Sequence, residues 1–452
     1  MSEKGLALAV EKMQAAGVDP VAIEVFHHYY GELERGETGQ IPEETITPLT
    51  QVDELASAAV STEEARIALG KTVYIKLNGG LGTSMGLNDA KSLLPVRDGL
   101  SFLDIICRQV LASRQKWGVT LPVLFMNSFR TQASTRAALA QYPQLPVGDL
   151  PLDFLQNQEP KLRQDNLEPV SYPADPSLEW CPPGHGDIYT ALLGSGLLDR
   201  LLAAGYRYAC TSNSDNLGGF PNAQVAAWFA ASGAPYAAEV CRRTPADRKG
   251  GHLAVRKSDG QLILRDTAQT PAAQMHYFTD EHRHPYFHTN NLWFDLEILK
   301  QTLVERGGVL GLPLIRNEKT VDPADPGSTP VYQLETAMGA AIETFPGATA
   351  ICVGRERFLP VKSTSDLFLV RSDAYALTGD FTLEQAVAQV PLVALDQRFY
   401  KTVADFQQRF PQGVPSLQDA VSFTVEGDWT FASLPKVIGD FRLVDEGEPQ
   451  VI

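Results

Sequence analysis

Cysteine is scarce in this chain. Five are present: Cys107, Cys181, Cys210, Cys241 and Cys352. The number is odd and no two form a Cys-x-x-Cys pair, which argues against a disulfide framework or a zinc site and fits a reducing compartment. Most lie in apolar runs and read as small buried hydrophobes. Long apolar runs are missing too, since nothing approaches the roughly 18 residues of a membrane span. No membrane partner is therefore expected. Positive charge is in deficit, with 38 Lys and Arg against 54 Asp and Glu and a formal net charge of −16. An acidic surface repels a polyanion, so no nucleic-acid partner is expected. A small phosphate ligand needs only a local positive site and stays open. The opening "MSEKGLALAVEKMQAAG" carries acids inside its apolar stretch and reads as an amphipathic helix rather than a signal peptide. A cytoplasmic location is the expectation.

What is present is an ordinary globular composition, 44% hydrophobic and 20% charged over 452 residues. That length suits two or three domains and buries a core without metal or disulfide staples. Residues 1–60 read as a helical segment. Ser2 is a candidate N-cap and Gly17 a stop, and Pro20 falls in the first turn of a second helix. His27 and His28 are adjacent there and do not share a helix face, so packing is the better reading than a metal pair. From about Thr72 short apolar strands alternate with helical stretches such as "SFLDIICRQVLASRQKWG" and "GDIYTALLGSGLLDRLLAAG". The alternation predicts a mostly parallel, doubly wound α/β sheet over 61–379, with ligands beyond the C-terminal strand ends. From about Asp380 the pattern changes. "TLEQAVAQV" reads as helical. "VEGDWTF" and "VIGDFRL" then recur twelve residues apart, as stacked coils of a β-helix or as a hairpin. This last part, 380–452, forms a C-terminal domain.

Four stretches carry candidate chemistry. In "VYIKLNGGLGTSMGLNDAKS" a strand runs into Gly79, Gly80, Gly82 and Gly86, with Lys91 five positions further on. Residues without Cβ let backbone N–H groups approach a phosphate. A Walker A loop and a dinucleotide fingerprint both fail on spacing. A phosphate cradle and a purely structural turn both remain. "WCPPGHGDIY" sets His185 between Gly184 and Gly186, where a helix starts at about Asp187. His185 could donate to a phosphate or hydroxyl, and Asp187 could cap the helix. "YACTSNSDNLGG" ends a strand in Asn213, Asp215 and Asn216. Asp215 could hold Mg²⁺ or close an Asx turn. Finally, "FHTNNLWF" offers Asn290 and Asn291, and "RFLPVKSTSDLFLV" offers Lys362 before a further strand. Glycines, two lysines and a strand-end aspartate, without a candidate triad, suggest a phosphate reaction run by alignment and charge neutralisation.

Taken in order, "KLNGGLGTSMG", "LFMNSF", "PPGHGDIY", "SNSDNLG", "RKGGHL", "TNNLW", "QLETAMGAAI" and "FLPVKSTSDL" resemble the eukaryotic-type UTP–glucose-1-phosphate uridylyltransferases, the UDP-glucose pyrophosphorylase family. Related families acting on UDP-N-acetylhexosamines usually carry an arginine in the glycine loop, where this chain has Ser84. The resemblance implies a Rossmann-like nucleotidyltransferase domain, an N-terminal helical segment and a short C-terminal β-helix. It implies Mg²⁺-dependent formation of UDP-glucose and pyrophosphate from UTP and glucose 1-phosphate. By motif match, Leu77, Gly79, Gly80, Met126, Gln158 and Gly184 would seat the uridine nucleotide, with Asn213 and Asp215 beside it. Asp215 would be the Mg²⁺ ligand. His185, Glu239, Gly251 and Asn290 would face glucose 1-phosphate. Lys91 and Lys362 would hold the reacting phosphates. A broader UDP-sugar pyrophosphorylase and a silent nucleotide-sugar binding protein are the alternatives; retention of both lysines argues against the second. The chain departs from the family in "NDAKS", where Gly-Pro often precedes the lysine, and in "SNSD" for the commoner "SNID". It stops soon after "GDFRL", so self-association through the C-terminal domain stays open.

Overall fold

The computed structural model describes residues 2–37, 39–244, 247 and 250–452, without the side chains of Ser2 and Glu3. The chain divides into two compact units, one made of residues 1–75, 147–211 and 222–353, the other of 76–146, 212–221 and 354–452.

The first unit opens with two helices, Ser2–Ala15 and Pro20–Glu34. The first begins at Ser2 and the chain turns at Gly17, whose φ of +71° suits a residue without Cβ. In the second helix Asp19 accepts the Val21 N–H at 2.9 Å, and Pro20 occupies the first turn. Their apolar faces, including Met13, Phe26, Tyr30 and Leu33, bury against Leu162, Leu314 and Leu334. Helix does not continue to residue 60 as expected. The second helix ends at Glu34, the chain turns at Gly36 with φ +70°, and the strands Ile46–Pro48 and Asp53–Glu54 follow.

The main sheet of this unit runs in the order Asp53–Glu54, Thr349–Cys352, Tyr236–Arg242, Tyr286–Asp295 and Tyr208–Asn213. The first two pairings are parallel. Tyr286–Asp295 is antiparallel to both of its neighbours. Of these four pairings two are parallel, and both antiparallel ones are made by the single strand Tyr286–Asp295. The reason lies between residues 242 and 286, where the excursion is an antiparallel hairpin, His252–Arg256 with Leu262–Arg265, and short helical turns. Among the described residues there, no long crossover helix brings the next strand back parallel. The predicted single helix after Asp187 is two, Ile188–Gly194 and Leu197–Ala203, split at Gly196 with φ +67°.

The second unit holds the end of the strand Thr72–Asn78, the buried strand Val123–Asn127, and the helices Phe102–Trp117 and Gln132–Leu139. Its C-terminal part stacks three parallel strands, Leu392–Leu395, Asp419–Val425 and Ile438–Leu443. Two further strands, Trp429–Thr430 and Gln450–Val451, also pair in parallel. Parallel pairing rules out the hairpin. Phe423 and Phe441 are register partners whose rings stack at 5.0 Å. The two Gly-Asp pairs are not equivalent positions. Gly427 turns the chain after one strand, whereas Gly439 lies inside the next, beside a register shift. "TLEQAVAQV" is not helical: Leu383–Gln385 is a strand paired with Tyr375–Leu377. The tight turn between them is closed by the Thr378 and Thr382 hydroxyls on Asp380, a local competitor that a nine-residue helix cannot outweigh.

Candidate functional site

In the second unit the glycine loop follows the strand Thr72–Asn78. Gly82 and Gly86 have φ of +68° and +73°. A Cβ on Gly82 would lie 2.9 Å from Leu87 and 3.2 Å from the Lys91 side chain, so the loop wraps closely around the lysine. A Cβ on Gly80 would meet nothing within 4 Å. Gly80 thus borders open space, as a residue beside a ligand would. The Gly80 carbonyl accepts the Lys91 N–H at 3.0 Å, and the Gly79 carbonyl accepts the Ser128 hydroxyl at 3.0 Å.

Lys91 Nζ donates to Asp215 Oδ2 at 2.6 Å and to the Val361 carbonyl. The Val361 N–H in turn donates to the Asp215 carbonyl at 3.1 Å. Three sequence motifs therefore meet at one ammonium group. An ammonium has three protons, and these contacts use two. Asp215 keeps Oδ1 and further lone pairs for a cation. The Asx turn expected as its alternative belongs to Asn216, whose Oδ1 takes the Gly218 N–H at 3.1 Å and the Leu359 N–H at 2.8 Å. Asn213 ends its strand half-buried, and Ser214 ties to the Leu77 carbonyl at 2.7 Å. Met126 is 1% exposed and lines the interior of this unit. Buried Lys76, with its ammonium on Ser212 and the Gly219 carbonyl, pins the strand end to the aspartate loop.

Lys362 follows Val361 directly and is exposed. It precedes a helix, Thr364–Arg371, not a strand. Ser363 and Asp366 form a capping box there, and the Lys362 N–H also reaches Asp366 at 2.9 Å. The capping chemistry outweighs the β-branched appearance of "STSDLFLV". Lys362 thus stands at a helix N-terminus, where the backbone dipole also favours an anion.

The remaining residues lie in the first unit. The strand Glu159–Pro160 pairs with Trp180–Cys181, which places half-buried Gln158 and the turn at Gly184 at the end of one ladder. Gly184 has φ +81°, and a Cβ there would lie 2.6 Å from the Thr336 carbonyl. The turn is locked by Gly186 N–H on Thr336 O at 2.8 Å and Thr336 N–H on Pro183 O at 2.9 Å. His185 Nδ1 accepts the Met338 N–H at 2.9 Å. Its proton is therefore on Nε2. The ring is accessible at the surface, but the surrounding chain desolvates it and lowers its pKa to about 4. The backbone donor on Nδ1 leads independently to the same neutral state, so His185 is a hydrogen-bond donor through Nε2 at neutral pH. Asp187 does not cap the helix; its carboxylate accepts from Asn157 instead.

Glu239 is fully buried, with Trp293 Nε1 on one oxygen at 2.9 Å and Asn291 Nδ2 on the other at 3.1 Å. The register of its strand shifts at this point: Ala238 faces Leu292 and Val240 faces His288, leaving Thr289, Asn290 and Asn291 opposite Glu239 alone. Asn290 takes φ +61°, uncommon outside glycine. Its N–H donates to His288 Nδ1 at 3.2 Å. Such a bulge re-aims one side chain out of the ladder. Gly251 O accepts the His288 N–H at 2.8 Å, and a Cβ on Gly251 would collide with Asp266 at 2.2 Å. Arg248 and Lys249 of "RKGGHL" lie outside the described residues. The sequence gives no sign of His288, Thr336 or Met338 as supports, because two of them act through backbone groups.

A glycine loop wraps a lysine–aspartate pair, and a second lysine stands at a helix N-terminus, an arrangement suited to phosphate groups. A family model described as UTP–glucose-1-phosphate uridylyltransferase matches residues 23–436. UTP–glucose-1-phosphate uridylyltransferase of Solanum tuberosum is 38% identical over 408 residues, 89% of this chain and 83% of that one. A probable enzyme of the same name from Schizosaccharomyces pombe is 39% identical over 368 residues, 80% of this chain and 71% of its own. Among solved structures, UDP-glucose pyrophosphorylase from Leishmania major aligns with TM-score 0.92 and 44% identity, covering 99% of this chain and 97% of that chain. A mutant of that protein in complex with UDP-glucose aligns equally well, with TM-score 0.92. The chain belongs to the UTP–glucose-1-phosphate uridylyltransferase family.

Proposed function

We propose that the chain catalyses reversible, Mg²⁺-dependent transfer of UMP from UTP to glucose 1-phosphate, giving UDP-glucose and pyrophosphate. The observation that carries the residue assignment is Lys91 held on Asp215 and Val361 at the mouth of the glycine loop. A phosphate oxygen of glucose 1-phosphate attacks the α-phosphorus of UTP in line, and the bond to pyrophosphate breaks. The nucleophile is already ionised at neutral pH, so no general base and no covalent intermediate are required. Two anions must be brought together, and Lys91 and Lys362 offset their repulsion and stabilise the charge of the transition state.

In the second unit Leu77, Gly79, Gly80, Met126 and Asn213 are assigned to the nucleotide, and in the first unit Gln158 and Gly184 are assigned to it. His185 donates through Nε2 to the sugar phosphate, and Asn290, re-aimed by its bulge, reads sugar hydroxyls. Gly251 and Glu239 serve the same substrate, Glu239 by holding the bulge. Among the described residues no three His, Cys, Asp or Glu side chains gather as a metal cage. Mg²⁺ needs none, because it is commonly bound by one or two carboxylates together with substrate phosphates. Asp215 fits that role, and the bound cation supplies charge neutralisation at the phosphates.

The segments 1–60, 61–379 and 380–452 are assigned as helical entry, catalytic domain and short β-helix. Parallel pairing of the C-terminal strands supports the last. A cytoplasmic location belongs to the same reading, supported by five buried cysteines that form no disulfide. The test is a coupled pyrophosphate-release assay with UTP and a panel of sugar 1-phosphates, with and without Mg²⁺. Turnover with glucose 1-phosphate that needs Mg²⁺ is expected. Equal kcat/KM with galactose 1-phosphate would replace strict glucose specificity with a broader one.

A further inference from the structure

Asp187 is one residue from the histidine turn, yet its carboxylate caps nothing in its own helix. Both oxygens are used across the chain: Oδ2 accepts the Asn157 backbone N–H at 2.6 Å and Oδ1 accepts the Asn157 side-chain amide at 2.8 Å. Asn157 precedes Gln158, and Gln158 precedes the two-residue ladder of Glu159–Pro160 with Trp180–Cys181. That ladder is too short to fix the register of the flanking residues by itself. The bidentate contact closes its open end. On the other side Asp187 is held by its own turn, which is locked to Thr336.

We propose that Asp187 is a positioning residue: through Asn157 it fixes Gln158 relative to Gly184 and His185, and so sets the affinity for the uridine nucleotide. The inference rests on the function proposed above.

The surroundings make this contact responsive to protons. Asp187 lines a small cavity with Tyr29, Glu159, Glu335 and Thr336. Asp187 and Glu159 are 5% and 4% exposed, and Glu159 Oε1 has no partner. The charged groups facing Asp187 are thus Asp19 from the second helix, Glu159 from the short ladder and Glu335 from the strand Pro330–Glu335. All are acidic; neutral His185 is the remaining titratable neighbour in its turn. Burial, with Asp19 adding to it, raises the Asp187 carboxyl to about 7. Below that pH the carboxylate takes up a proton and one of its two acceptor positions toward Asn157 is lost.

The experiment measures UDP-glucose binding by calorimetry between about pH 6 and pH 8, where the ligand itself does not titrate. Wild-type affinity is expected to rise several-fold across this range. Asp187→Asn cannot ionise, presents a single acceptor oxygen as the protonated carboxyl does, and is expected to bind at the wild-type low-pH level with no pH response. Asp187→Ala is expected to weaken binding ~10-fold, the scale of losing a charge-assisted hydrogen bond. Asn157→Ala, which keeps the backbone contact, is the second variant should Asp187→Ala fail to fold, with a loss of a few-fold expected. Binding in Asn157→Ala equal to wild type, or a wild-type pH response retained in Asp187→Asn, would overturn the positioning role while leaving the proposed function intact. No UDP-glucose binding by the wild type at any pH would overturn both.

Discussion

Lys91 Nζ and Asp215 Oδ2 lie 2.6 Å apart although 124 positions separate them in the chain. Both side chains are less than one-fifth exposed. The pair orients the ammonium while the aspartate retains an oxygen for a cation. Asp215→Asn is expected to leave the fold intact, weaken the apparent affinity for Mg²⁺ and lower activity in a way that excess Mg²⁺ restores only in part. Pyrophosphate release against Mg²⁺ concentration checks this; an unchanged titration would assign the cation to another group.

Lys362 is exposed, so its loss should spare stability. Lys362→Ala is expected to lower kcat by at least ~10²-fold, the scale of one transition-state charge contact. Steady-state kinetics with both substrates saturating measures it, and near-normal turnover would remove Lys362 from the reaction.

Asn290 combines a left-handed backbone with the proposed sugar contact. Asn290→Gly separates the two, because glycine takes φ +61° without the steric cost of Cβ. The melting temperature is expected to hold or rise while KM for glucose 1-phosphate increases. If neither KM nor kcat moves, the bulge is structural only.

Glu159 is expected to govern part of the pH dependence of stability. Burial first, then the charges of Asp187 and Glu335, raise its carboxyl well above the usual range. The native chain therefore holds a proton that the unfolded chain releases. The stability this proton brings is present at low pH and declines as pH rises from the ordinary glutamate range toward the raised value. Glu159→Gln should unfold at higher urea than wild type at pH 8, with the gap closing toward pH 5. A gap independent of pH would mean that Glu159 is ionised in the native chain.

The helices and short strands around the site were legible where local chemistry is strong: Pro20 in a first helical turn, and the run into Gly79 and Gly80. Lys91, Asp215 and the glycine loop were legible as candidates because ammonium, carboxylate and glycine types announce themselves in sequence. "TLEQAVAQV" was misread because the five-residue turn 378–382, closed by two hydroxyls on one carboxylate, decided its geometry. The antiparallel direction of the strand Tyr286–Asp295 was not legible, because it is set by the excursion before it, not by its own residues. The supports of the site were not legible at all. Met338 acts on His185 through a peptide N–H, and Asp187 acts on a residue 30 positions away. Neither kind of contact leaves a composition signal.

Each compact unit is assembled from three separate stretches of chain. During synthesis, Asp53–Glu54 must wait for its sheet neighbour Thr349–Cys352. At ~5–20 residues per second that interval is roughly 15–60 s. For that time the nascent chain carries an open sheet edge that only its last third can close. A single cut in the gene therefore cannot separate the two units.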